Sequence, residues 1–434
     1  MDSERPLPLG DEAVTITAGT PTAGWTGWRG LSETALVNLM LLGLGALTGI
    51  IAARVLGPDG RGALALALSV AGVATGVAGL GLQQALAYQV AQSPGRRREA
   101  VALAIWLGLA AGGLAAAVVY VCAGLLIDAE SAKDATKLAV LTIPASAVGG
   151  NLAGVVQGMR AARPFSLLRL APAAAYALLL VAAVAAGWQL SAENVVLLYA
   201  AALLAAAALG LYVVRDAWAS KSRPSRGFAV ATVRYGLVVN VGSIAWTANR
   251  QLALVVLAAL ASLEDVGLFS VALGYASPVG AASLALALHT LPDVAAEKDP
   301  HAQAAVARRR IRMTILITLP ITVAAVIAAP VLLPFAFGDD FSGAVETAQV
   351  LVGGQAVLGL SHVLSEISRG MGRPGLPALA EGLGVALSLI VLPLVVPPYG
   401  IVGAAASGTV IFFGVSAVLY AGVRRRLPPS AGLT

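Results

Sequence analysis

The chain has 434 residues, 58% of them hydrophobic and 12% charged, with a formal net charge of +6. A soluble domain carries about 25% charged residues, so this balance and a mean hydropathy of +0.85 exclude a soluble globular protein and indicate an all-α polytopic membrane protein. Cys122 stands alone, which excludes an internal disulfide, and the basic residues are scattered over short loops, which argues against a nucleic-acid partner.

In chain order, residues 1–30 (MDSERPLPLGDEAVTITAGTPTAGWTGWRG) are polar, with neither the basic start nor the short apolar core of a cleaved leader. A disordered tail is expected there, ending in Trp25, Trp28 and Arg29, residues suited to a membrane interface. At roughly 20 apolar residues per span, about twelve helices follow. Their expected limits are 31–55, 63–90, 100–127, 138–158, 165–187, 194–215, 236–260, 267–291, 311–336, 347–368, 377–397 and 399–423. Pro397, Pro398 and Gly400 allow only a tight turn between the last two. The stretch 292–310 can form an amphipathic surface helix, although ordinary positive-inside anchoring is the favoured reading of its arginines, and 425–434 is expected to be a short tail.

Orientation follows from the basic residues. Most of the 28 Lys and Arg fall in the segments that share a side with the N-terminus. Arg54, Arg61, Lys133 and Lys137 fall on the opposite side, which instead carries acids such as Asp128, Glu193, Asp265 and Asp339. Both termini are therefore expected in the cytoplasm.

The two halves look related. GRGALALALSVAG from Gly60 lies over DVGLFSVALGYAS from Asp265 at an offset of 205, pairing Gly62 with Gly267. GMRAARP from Gly158 resembles GMGRP from Gly370, with the Arg-Pro pairs at an offset of 210. Two pseudo-symmetric six-helix lobes are expected, 31–220 and 221–424. Because six is even, they share orientation, and a repeat of this kind places a cargo site between the halves near mid-membrane.

One span breaks the apolar pattern. In YGLVVNVGSIAWTANRQLALVVLAALA, from Tyr235, Arg250 lies about 20 Å from the start of the span at 1.5 Å per residue. A cation at that depth costs roughly 2.5–3.5 kcal/mol on insertion scales and normally faces protein or a watery cavity. Ser243, Trp246, Thr247 and Arg250 share a helical face, flanked by Asn249 and Gln251. A positively charged polar strip of this kind suits an anionic cargo; a structural arginine held by a carbonyl or an aromatic ring is the plainer alternative. Other polar residues within spans are Asn38, Gln83, Gln84, Asn151, Gln157, Asn240 and Gln355, and Arg54 closes the first span. Most such amides join helices. Those in spans one, two, seven and eight carry more weight, because the repeat makes these helices equivalent. Glu366 lies three residues before Arg369, within pairing distance on a helix. There is no GxxxxGK[ST] phosphate loop, and His289, His301 and His362 have no ligand-like spacing, so neither an ATPase, a metal nor any other cofactor is expected. No loop is long enough for a catalytic domain, which argues against an enzyme.

The run ARVLGPDGRGALALALSVAGVATGVAGLGLQQALAYQVA (Ala53 to Ala91) resembles the first helical hairpin of bacterial polysaccharide transporters. These are the oligosaccharide flippases of the multidrug/oligosaccharidyl-lipid/polysaccharide exporter superfamily. NRQLALVVLAALASLEDVGLFSVALGYA from Asn249 resembles their seventh-to-eighth helix hairpin, and PFAFGDDFSGA and PPYGIVGAAAS resemble their later outer turns. The resemblance implies two lobes, alternating access and a location in the bacterial cytoplasmic membrane. The implied cargo is a polyprenyl-diphosphate-linked oligosaccharide moved to the outer leaflet. Implied partners are membrane lipids and polysaccharide polymerases or glycosyltransferases. On that reading Arg250 holds the diphosphate. Asn249, Gln251, Asn240, Asn38, Gln83, Gln84, Ser243 and Arg54 contribute polar contacts, and Trp246 stacks on a sugar. Many members carry an Asp where this chain has Gln251, which puts a cation-coupling role in doubt. The alternative, a cation-coupled drug exporter, needs buried carboxylates that these spans lack.

Overall fold

The computed structural model describes residues 28–218, 224–373 and 375–425, and within the helices it leaves the side chains of 28–35, 218, 238–239, 241–250, 282, 285, 288–289 and 292 outside the description. The expected tail at 1–30 lies almost wholly outside the described residues, as does most of that at 425–434. All regular structure among the described residues is helical.

The helical run Trp28–Ala78 breaks at Gly57 (φ 66°, ψ −179°), a conformation open to glycine and hardly to other residues. Pro58 then opens the next helix, at the position where a missing N–H costs nothing. The break separates α1 (28–56) from α2 (58–92). Gly375–Arg424 divides in the same way at Gly400 (φ 55°) into α11 (375–399) and α12 (401–424), following Pro397 and Pro398. Between them lie α3 (Arg97–Leu126), α4 (Glu130–Gly158, with a turn at 140–141), α5 (Ala162–Ala185) and α6 (Ala192–Val213). The second half continues with α7 (Arg226–Leu260), α8 (Leu263–Ala296), α9 (Pro300–Phe337) and α10 (Val345–Gly370). The end of the molecule holding the turns at 57, 261–262 and 400 is called outer below, following the expected orientation, and the opposite end inner.

Several helices exceed their expected limits, α4 by starting at Glu130 rather than near 138. α7 starts at Arg226 rather than near 236 because Ser225 caps it, accepting from the Phe228 N–H (3.4 Å). The stretch 292–310 is not a separate surface helix. Its first part finishes α8, and Asp299 caps α9 by accepting from the N–H groups of His301 (3.3 Å) and Ala302 (3.0 Å). The resulting α9 has 38 residues, about 57 Å at 1.5 Å each, so it projects well past a bilayer core of about 30 Å. Arg310 pairs with Asp293 across this turn.

Prolines inside spans leave carbonyls without donors, and neighbouring helices supply them. Pro330 lacks the N–H that would bond the Val326 carbonyl; that oxygen accepts from Gln349 Nε2 of α10 at 3.1 Å. The Tyr275 hydroxyl of α8 donates to the adjacent Ala325 carbonyl at 2.7 Å. Amides and hydroxyls also join helices: Asn151 donates to the Ala104 carbonyl (3.2 Å), and Ser361 and Ser416 share a hydrogen bond (2.6 Å). Arg369 donates to Glu366, as the spacing predicts.

The repeat is visible in atomic contacts. A Cβ on Gly158 would meet the Ala87 carbonyl and Val90 of α2; a Cβ on Gly370 would meet the Leu291 carbonyl and Val294 of α8. Both helices then end alike. The N–H groups of Met159, Arg160 and Ala161 donate to the carbonyls of Val155, Gln157 and Val156. Those of Met371, Gly372 and Arg373 donate to the carbonyls of Ile367, Arg369 and Ser368. This is the Schellman ending, with Arg160 (φ 56°) and Gly372 (φ 75°) at its left-handed position. The structural offset here is thus 212, not the 210 given by aligning the Arg-Pro pairs. A Cβ on Gly372 would touch nothing within 4 Å, so Gly372→Ala pays only left-handed strain, about 1 kcal/mol. A drop of a few degrees in the unfolding temperature of the purified protein is expected, with Gly372→Asn losing less.

Candidate functional site at the seam of the two bundles

Helices α1–α6 form one bundle and α7–α12 the other, and their seam runs along α2, α7 and α8. At its outer end α2 and α8 cross backbone to backbone. A Cβ on Gly62 would lie 1.8 Å from the Leu263 carbonyl oxygen, and one on Gly267 would lie 2.0 Å from that of Pro58. With the offset of 205, Gly62 meets the counterpart of Pro58 and Gly267 meets Pro58 itself, so the crossing is its own mirror under the repeat. An apolar core spans the seam at this level: Ala53 of α1 and Ala65 of α2 pack with Leu257, Val266, Phe269 and Phe341. Arg54 adds a tie, donating from Nε to the Ala336 carbonyl at 2.7 Å and from Nη2 to that of Phe335. Those carbonyls belong to the last turn of α9, where a cation is favoured. Arg54 therefore spends these donors on capping α9.

Towards the inner end the arrangement changes. The cluster around Leu86, Val101, Leu152 and Phe228 contains no residue beyond α7, and the cluster around Val294, Val363, Ile367 and Leu419 contains none from the first bundle. Among the described residues the outer ends share a core, whereas at the inner ends only the start of α7, through Phe228, enters the core of the first bundle.

Midway, α2 is interrupted at 79–81, with Leu80 (φ 48°) and Gly81 (φ 63°) left-handed. The Leu80 N–H turns to the Val77 carbonyl (3.2 Å) instead of that of Gly76. Asn240 of α7, 6% exposed, crosses the seam and donates to the Gly76 carbonyl at 3.3 Å. Three turns further along, Gln251 Nε2 approaches Gly72, 3.8 Å from where a Cβ would be. Gln83 is half-buried against Gly150 and Gly154 of α4, within the first bundle, whereas Gln84 is exposed. Asn38 of α1 accepts from Arg169 Nη2 of α5 at 2.9 Å. Sequence reasoning assigned Arg169 to inner-side anchoring and missed this bond; its place two turns inside an apolar helix was the available signal. The side chains of Ser243, Trp246, Thr247, Asn249 and Arg250 lie outside the described residues, although their backbone belongs to α7 between Asn240 and Gln251.

The inner start of α7 is clamped to the first bundle. Arg96 donates to both carboxylate oxygens of Glu99 (3.0 and 3.2 Å) and to the Ser225 hydroxyl (2.6 Å), and its guanidinium lies 4.6 Å from the Phe228 ring centroid. The Ser225 N–H donates to Glu99 at 2.8 Å. The Arg96 guanidinium and this N–H hold the Glu99 carboxyl, which lies ahead of the apolar run of α3, down to about 2. Tyr88 and Tyr235 stack at 4.7 Å, 6° from parallel.

The family model described as "Polysaccharide biosynthesis protein" matches residues 28–286. The chain belongs to the polysaccharide biosynthesis protein family. Over 116 residues this family member is 27% identical to the probable low-salt glycan biosynthesis flippase Agl15 of Haloferax volcanii, a match covering 27% of the chain and 24% of that protein. Its fold is similar to that of the lipid II flippase MurJ in an inward closed conformation (TM-score 0.73, 11% identity, 90% of this chain and 87% of that one). It is also similar to an inward-facing multidrug resistance MATE family transporter of the MOP superfamily (TM-score 0.70, 13% identity, 92% and 98%). The protein is thus a multi-pass membrane protein whose fold is similar to those of the MurJ flippase and MATE transporter structures.

Proposed function

We propose that the protein is a flippase that carries a polyprenyl-diphosphate-linked oligosaccharide from the inner to the outer leaflet of the bacterial cytoplasmic membrane, with both termini in the cytoplasm. The observation that carries this reading is the seam: bundles joined at their outer ends by the Gly62–Gly267 crossing, while at their inner ends, among the described residues, only α7 reaches into the other bundle's core. That is the shape of a carrier awaiting cargo from the inner side. The proposed lobes are 31–220 and 221–424, and membrane lipids and glycan-assembling enzymes are the proposed partners. Arg250, on α7 between the two points where Asn240 and Gln251 reach α2, is the proposed diphosphate ligand. A guanidinium offers planar paired donors to phosphate oxygens, and Asn249, Gln84 and Trp246 suit sugar hydroxyls and faces. Asn38, Gln83 and Arg54 serve as supports, through the contacts described above.

Purified protein in vesicles should expose a polyprenyl-diphosphate oligosaccharide to an external glycosidase faster than empty vesicles do. No acceleration, together with cation-driven efflux of organic drugs, would replace this reading with that of a drug exporter.

A further inference from the structure

Arg169 stands inside an apolar helix, nearer the inner end of the molecule than Arg250. It lies about 10 Å along α5 from its first residue, at 1.5 Å per residue. A long side chain at that distance can snorkel back to the interface. Arg169 instead turns sideways. Its Nη2 donates to Asn38 Oδ1 of α1 at 2.9 Å, and its guanidinium lies 5.8 Å from the Phe165 ring centroid. It shares a flank of α5 with the buried Tyr176 and Leu180, whereas Leu167 and Leu178 on the other flank are exposed. The guanidinium therefore points between helices and not at lipid.

The contact with Asn38 leaves the charge unmatched. Asn38 is neutral, and none of the described ion pairs includes Arg169. One N–H of the guanidinium has an acceptor among the described residues, and the others have none. A cation within a span is normally met by opposite charge, a carbonyl or water. The place is also reachable. Arg169 is half-buried, and no residue of α1 before Ile50 belongs to the described apolar clusters, so no sealed core covers it from that side. Nor does the fold require a cation here. At the structural offset of 212 Leu168 falls on Ala380 and Leu180 on Leu392, all four buried, and Arg169 falls on Glu381, which is 7% exposed. The second bundle builds the same position with an acid.

A fork of donors held by one neutral acceptor is suited to phosphate oxygens, which take paired N–H groups and bring the missing charge. We infer that Arg169, with Asn38 as its resting partner, is a receiving site for the phosphate groups of a polyprenyl diphosphate at the inner end of the first bundle, passed before Arg250. The identity of the ligand rests on the transport reading above; the affinity for phosphate oxygens does not. On arrival the diphosphate takes the Nη2 donor from Asn38, and on departure the amide takes it back.

The test is thermal unfolding of the purified full chain while inorganic pyrophosphate replaces gluconate at constant ionic strength. An Arg250→Ala background keeps the central arginine from contributing. Binding to the native state alone raises the unfolding temperature with ligand concentration. That rise is expected with Arg169 present and should vanish when Arg169→Gln is added. Asn38→Leu removes the competing acceptor and should lower the half-saturating concentration about tenfold, roughly the worth of a hydrogen bond to a charged group. In vesicles of the otherwise unaltered protein, Arg169→Gln should raise the half-saturating cargo concentration about tenfold while the maximal rate changes little. Should Arg169→Gln fail to accumulate, Arg169→Lys, which keeps the charge without the fork, carries the test through a weakened rise. No rise with pyrophosphate would overturn the site, as would a rise that survives Arg169→Gln. Weaker binding in Asn38→Leu would overturn it too, since a purely structural contact fails alike from either side. A response to phosphatidylglycerol vesicles alone would replace the cargo with a resident lipid phosphate. A chain that moves no glycan yet binds pyrophosphate through Arg169 would sink the transport reading and leave the phosphate site standing.

Discussion

A Gly62→Val variant is expected to insert at normal levels and to lose transport roughly ten- to hundredfold. Any Cβ at this position would sit 1.8 Å from the Leu263 carbonyl oxygen, which is backbone and cannot swing aside. Overpacking of this kind costs about 1–3 kcal/mol, and each 1.4 kcal/mol is a factor of ten in population. The contact lies only between bundles, so the penalty falls on states in which the outer ends meet and spares the interior of each bundle. Gly149→Ala, whose Cβ would have nothing within 4 Å, serves as a silent control. Combining Gly62→Ala with Gly267→Ala should give less than the sum of the single effects, since both relieve or load one crossing. With Cys122 replaced, a cysteine introduced at Ala261 should label more readily with an impermeant thiol reagent in the Gly62→Val background. Full transport by that variant would show that the outer ends need not close.

Arg250→Ala is expected to slow glycan translocation in vesicles roughly ten- to a hundredfold while the protein accumulates fully. Removing the cation favours insertion by roughly 2.5–3.5 kcal/mol, so a loss of transport is not a loss of protein. Hydrogen bonds to charged groups contribute about 1.5–3 kcal/mol, which corresponds to a fall of ten- to a hundredfold. Arg250→Lys keeps the charge but not the planar fork and should retain a fraction of the rate. Undiminished translocation by Arg250→Ala would remove this residue from the mechanism.

Hydropathy alone located the helices. Val345–Gly370 was expected at 347–368 and Ala192–Val213 at 194–215, because lipid demands a run of apolar residues and the sequence supplies one. It fell short wherever a helix leaves the bilayer. Arg226 and Arg234 ended the expected seventh span, yet a helix needs only a cap and one apolar stripe to continue in water, and Ser225 and Phe228 provide them. The break at 79–81 was not legible either. Glycines abound in the chain, and nothing local tells that Leu80 takes a left-handed conformation until Asn240 is seen donating to the Gly76 carbonyl. The glycine alignment 62 over 267 did foretell a contact, since only residues without a Cβ let two backbones touch. Arg54 and Asn38 were legible as polar residues in apolar surroundings. Their partners, the α9 carbonyls and Arg169, are 282 and 131 residues distant for the bonds described, and no pattern of neighbours encodes such distances.

Helix α7 has divided loyalties: Phe228 fills the core of the first bundle, whereas Leu254 and Leu257 fill that of the second. The first six helices on their own would therefore leave an open socket, lined by Leu86, Val101 and Val214, that only the other half can plug. Two polypeptides made by cutting the connection at 219–223 should find one another through that plug, whereas a cut past Phe228 would strand it on the wrong piece.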